Sequence, residues 1–156
     1  MARSQNAMFR GREPAPDGDR IGGASLVRLL ATELTRGGWE VRDFDCWRDG
    51  GWILPCFRGA KSLDLVLVPL VGGDAWAIQI AAPRFPCFVL RWFGATPSAD
   101  AHDIFQLASA THAALTAAGM TDIRWVWDGP ADAEDAGSEP QPAASGQGDS
   151  HTGEVP

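Results

Sequence analysis

The run Leu63-Asp64-Leu65-Val66-Leu67-Val68-Pro69-Leu70-Val71 is the most apolar stretch of the chain, and the fold has to be built around it. It is too short to cross a bilayer as a helix. Turn residues bound it, Arg58-Gly59-Ala60-Lys61 before and Gly72-Gly73-Asp74 after, and its β-branched and leucine content favours a strand. Leu63, Leu65 and Leu67 fall on one face, and Val66, Val68 and Leu70 on the other. A strand that is apolar on both faces needs cover on both, from helices, a folded-over strand or a partner chain.

The elements around this strand follow from periodicity and turn chemistry. Positions 1–20 are polar and rich in Arg, Pro and Gly, and are expected to form a loose arm. Leu26, Leu30 and Leu34 repeat at helical spacing, so 25–36 is expected to be a helix, with Ser25 as cap and Gly37 as its left-handed stop. A five-strand antiparallel meander is expected next: 39–47 with a bulge near Asp43, 52–58, 63–71, 76–81 and 87–93. Arg48-Asp49-Gly50-Gly51 suits a hairpin turn, and Pro55 points to an edge or bulged position for its strand. A second helix is expected from a Ser98 cap to about Ala118, and a last strand over 123–127. The reading is thus an α+β fold: N-terminal helix, five-strand antiparallel meander, second helix and final strand, with both helices on one sheet face. The single domain spans 21–130. Positions 131–156, with Val155 the only bulky aliphatic, are expected to form a disordered acidic tail.

Charge is unevenly spread. Of the 20 acidic residues, seven lie from Asp128 onward, where there is no Lys or Arg. Positions 1–127 are balanced, and no basic cluster of the sort that nucleic acid requires is present. No apolar span has transmembrane length and no cleavable leader is evident, so a cytoplasmic location is expected.

Motifs for chemistry are sparse. Cys46, Cys56 and Cys87 lack Cys-x-x-Cys spacing, and their odd number argues against a disulfide framework. His112 falls on the apolar side of the second helix and is expected to be a buried, hydrogen-bonded residue. As a base it would need one of the cysteines beside it. His102 lies nearly three turns away, too far to share a metal with it. Asp43, Asp45 and Asp49 crowd the first hairpin, where charge protects a strand edge from pairing. Gly22-Gly23 has neither Gly-x-Gly-x-x-Gly nor Gly-Lys-Ser/Thr beside it. No catalytic residue, metal or cofactor is expected.

The compositional oddity is tryptophan, seven residues with no tyrosine. All seven fall in or beside expected strands, more rings than one small interior is expected to hold. Paired with arginine, they have the make-up of an interface hot spot. The expected partner-binding residues are Trp47, Trp52, Arg58, Arg91, Trp92, Arg124, Trp125 and Trp127. In layout, though through no motif, the chain resembles the compact α+β proteins that bacteria use as secretion chaperones or toxin-neutralising immunity proteins. That resemblance implies a non-enzymatic domain whose aromatic sheet face takes a protein partner or a homodimer mate. The alternatives are an accessory or assembly subunit of a larger complex, and a small enzyme pairing a cysteine with His112.

Overall fold

The computed structural model describes residues 3–13, 22–48, 50–83 and 99–144. In chain order the elements are β1 (Ser4–Arg10), α1 (Ala24–Arg36), β2 (Glu40–Val41), β3 (Asp45–Trp47), β4 (Gly51–Arg58), β5 (Lys61–Pro69), β6 (Ala75–Ala81), α2 (Ala101–Ala117) and β7 (Thr121–Trp127). The strands form one sheet in the order β2-β4-β5-β6-β1-β7, with β3 also pairing β4. Every pairing among the described residues is antiparallel. The α+β class and the antiparallel run from β2 to β6 are as the sequence indicates. The expected strand over 87–93 lies outside the described residues.

The N-terminal arm reading is corrected by β1. Ser4–Arg10 is a strand inside the sheet, paired with β6 on one side and β7 on the other. Its short alternation, Gln5, Ala7 and Phe9 inward, is the cause. All three are buried, and a period of two is what a one-sided strand needs.

The apolar run behaves as its two-faced pattern requires. Leu63, Leu65 and Leu67 are fully buried beneath the helices, while Val66 and Val68 are half-buried on the opposite face. Pro55 sits where β2 and β3 break. β2 pairs with Cys56 and Phe57, β3 with Gly51 to Ile53. The proline, which has no N–H to donate, thus falls in the gap, and its carbonyl accepts from Arg42 N at 3.0 Å.

The helices contact one another and the same side of the sheet. Ala24, Leu26, Val27, Leu30 and Leu34 of α1 are buried, as are Ile104, Leu107, Ala108, Thr111, Ala114 and Leu115 of α2. Ser25 is not the cap of α1. The helix starts one residue earlier, after Gly23, and the Glu13 carboxylate accepts from Ser25 N at 3.0 Å and from its hydroxyl at 2.9 Å. A distant carboxylate thereby meets the unpaired N–H groups of the first turn. At the other end Gly38, not Gly37, has the left-handed backbone, φ 90°. α2 is capped by Asp100 in a reciprocal box with Asp103. Lys61 at the start of β5 reaches Asp103 at 2.6 Å and clamps sheet to helix.

The Gly22-Gly23 pair has a packing role. Trp52 Nε1 donates to Gly22 O at 3.0 Å, and Gly23 has φ 103°. A Cβ at Gly23 would lie 2.9 Å from the Trp76 ring and 3.4 Å from that of Trp52. Two indoles close over the turn, and only glycine combines that backbone with that clearance.

The first part of the acidic tail is also corrected. After β7 the chain passes Asn6, whose Nδ2 donates to Gly129 O at 2.6 Å, and buries Ala131. Gly137 then exchanges two backbone hydrogen bonds with Trp125, at 2.7 and 2.9 Å. Further on, Gln141 O accepts from Gln5 Nε2 at 3.1 Å and Trp127 Nε1 at 2.8 Å. Residues 131–144 therefore wrap the β7 edge and satisfy backbone groups that an edge strand would leave bare. No helix among the described residues is long and apolar enough to cross a membrane.

Candidate functional site

The candidate site is the sheet face turned away from the helices. The register lays its side chains in cross-strand rows. Val126, Asn6, Gln79, Val66, Ile53 and Asp45 form one row across β7, β1, β6, β5, β4 and β3. Beside it run Met8, Ala77 and Val68, leading toward Trp47, and on the other side Ser4, Ala81, Asp64 and Pro55. Two shallow depressions lie in this face, of about 350 Å³ and about 200 Å³. Trp47, Val66 and Gln79 line both. The floor is apolar, from Met8, Ile53, Val66, Val68 and Ala77, and Gly129-Pro130-Ala131 forms one rim.

Trp47 owes its place to Gly51, its partner in the hairpin. A Cβ at Gly51 would stand 2.8 Å from Leu67 O, 3.1 Å from Val68 Cγ2 and 3.6 Å from Trp47 Cβ. The bare α-carbon lets the indole lie close to β5. Arg48 places its guanidinium 5.6 Å from the Trp47 ring centre.

Polar groups on this face are few and are mostly acceptors. Asn6 uses its Nδ2 on Gly129 and has no hydrogen bond to its Oδ1. Asp64 lies among Trp47, Ile53, Val66, Gln79 and Ala81. It makes no hydrogen bond or ion pair within the described residues, and burial pushes its carboxyl above the usual carboxylate range. Below it on the helix side, burial and then the Asp64 charge push the Cys56 thiol up to about 12.

Of the eight residues expected to bind a partner, the six that are described do not form one surface. Trp47 is on the open face. Trp52 and Trp125 are core residues, and Trp39 and Trp76 are buried with them. Arg58 covers Trp39, 4.4 Å from the ring centre, and donates to Gly37 O at 3.1 Å. Arg124 donates to the carbonyls of Ala133 and Ala136, each at 3.3 Å. Trp127 is half-buried beside Gln141, with Arg3 over its ring. Arg91 and Trp92 lie outside the described residues. Met8, Asn6 and Gln79 carry no binding signal in the sequence and join the face through strand β1 and its neighbour β6. Asp64 was visible as the one charge in the apolar run.

The other chemistry candidates are dispersed. His112 Nδ1 accepts from Trp125 Nε1 at 3.2 Å on the helix side. Cys46 is exposed on the edge strand and Cys56 is buried, while Cys87 is outside the described residues. Asp45 Oδ1 accepts from Cys46 N at 2.7 Å. Among the described residues no group of His, Cys, Asp or Glu could hold a metal ion. No protein-family model matches the chain, and no curated protein matches it.

Proposed function

We propose that this chain is a non-enzymatic protein-binding domain, of the kind bacteria use as secretion chaperones or immunity proteins, that engages its partner in the cytoplasm through the open sheet face. The observation that carries this reading is that Trp47 lines, with Ile53, Val66 and Val68, two adjoining hollows on a face that no described helix covers. Half-buried aromatic and aliphatic side chains around shallow hollows are what an interface centre is made of. The thiol-enzyme alternative has less support. At Cys56 burial pushes the thiol up to about 12, which disfavours the reactive thiolate there. The accessory-subunit alternative uses the same face and differs in whether the partner ever leaves.

A photo-crosslinking residue at Val68, with another at Arg36 on the helix side, tests the reading in the native host. A discrete protein adduct from Val68 alone, lost when Trp47 is also changed to Ala, is the expected result. Equal or absent adducts from the two positions would count against it. The same partner co-purifying in stoichiometric amount without irradiation would favour the accessory subunit.

A further inference from the structure

Resting on that reading, we infer that the open face takes an apolar peptide segment carrying one arginine or lysine, whose cation meets Asp64. The argument is charge complementarity at a defined point. Asp64 is the carboxylate lining a hollow whose other described lining residues are Trp47, Ile53, Val66, Gln79, Ala81 and Ala82. It has no ion pair or hydrogen bond to any described residue, whereas the acidic side chains Asp74, Asp103 and Asp128 are paired with basic ones. A carboxylate half-withdrawn from water and unpaired costs stability. A partner that brings a cation removes that cost, and a partner that is only apolar deepens it by stripping the remaining water.

Other occupants fit less well. None of the described residues lining the two hollows is lysine or arginine. A second copy laid face to face would bring a second Asp64 and, as its cation beside the hollows, only Arg48, which lies against its own Trp47. Phosphate-bearing ligands, whether nucleic acid or anionic lipid, would meet a like charge. The partner is thus a protein segment whose apolar stripe includes one basic side chain. Its alkyl stem lies along Ile53 and Val66 and its head ends at Asp64, the way long cationic side chains bury their stems.

Displayed random peptides selected on the full chain, with Val66→Asp as the counter-selection, provide the test. Trp47→Ala replaces Val66→Asp if the latter fails to fold. Binders that need the face are expected to share a basic residue within an apolar stretch. They are expected to lose at least about tenfold in affinity on Asp64→Asn, and their Arg→Glu versions to bind Asp64→Lys. Face-dependent binders without a basic residue, or unchanged affinity on Asp64→Asn, would overturn the inference and leave the protein-binding reading standing. No face-dependent binder at all would overturn both. A dimer dispersed by Val66→Asp would overturn the inference in favour of a second copy.

Discussion

Trp125 donates its indole N–H to Nδ1 of His112 across 3.2 Å, with the two rings edge to face at 6.4 Å. This pair ties β7, the wrapped edge strand, to α2. The imidazole must carry its proton on Nε2 to accept at Nδ1. His112→Leu keeps bulk but strands a donor that is otherwise buried, at a cost of roughly 1–3 kcal/mol. His112→Asn, which still offers an acceptor, should cost less. Chemical denaturation with Trp fluorescence separates them, and equal losses would show that the bond contributes nothing.

Removing the chain after Pro130 should lower the melting temperature substantially. It deletes both Gly137 bonds to Trp125, the Gln141 carbonyl that accepts from Gln5 and Trp127, and the carbonyls that hold Arg124. At about 0.5–1 kcal/mol for each of these six bonds the loss is about 3–6 kcal/mol, or on the order of 10–20 °C for a chain this size. The bared β7 edge should also promote association, read by sedimentation. Calorimetry of the truncated and full chains that showed the same transition would refute the wrapping role.

Asp64→Asn should stabilise the isolated protein at neutral pH. Burial raises the folded-state pKa of Asp64 above its unfolded value. Below the unfolded value both states are protonated and the carboxyl costs nothing. As pH rises through the folded value, the folded state must hold a disfavoured charge, so stability is lost in that direction. The advantage of Asn over Asp should therefore be present near pH 7 and vanish in acid. Paired urea titrations across that range check it, and an advantage that grew on acidification would contradict the assignment.

Trp47→Ala and Trp52→Ala should separate binding from stability. Trp52 is buried against Phe44 and bonded to Gly22, so its loss should cost about 3–5 kcal/mol, as for other large-to-small core changes. Trp47 is half-exposed on the open face, and its loss should leave the fold nearly intact while weakening partner capture. Melting curves read beside the crosslinking yield distinguish the two.

What the sequence disclosed was local. The alternation of leucines and valines in 63–68, the four-residue spacing of Leu26, Leu30 and Leu34, and the Arg48 to Gly51 hairpin each sit within a dozen residues, and each is where the pattern puts it. What it concealed was long-range. Ser4–Arg10 has only three apolar residues, and its strand identity comes from pairing with positions 75–81 and 121–127. Residues 131–144 carry no hydrophobic signal, because they are held through main-chain carbonyls and Gly137. The tryptophans misled for a related reason. Trp52 and Trp76 are absorbed by the glycines at 22 and 23, whose missing side chains make room for indoles, and a count of rings says nothing about such hollows. The open face could be anticipated from Val66 and Val68 alone, but its polar row through Asn6 and Gln79 needed the register.

The position of β1 bears on how the molecule is made. Its two partners leave the ribosome some 65 to 120 residues later, so β1 has nothing to zip against until β6 has emerged and stays bare on its other side until β7 follows. Such wide sequence separation slows closure, since long loops must be ordered before the pairing rewards them. Docking of β1 therefore lags behind the local hairpins of β4, β5 and β6, and Phe9 stays exposed to the crowded cell through the wait.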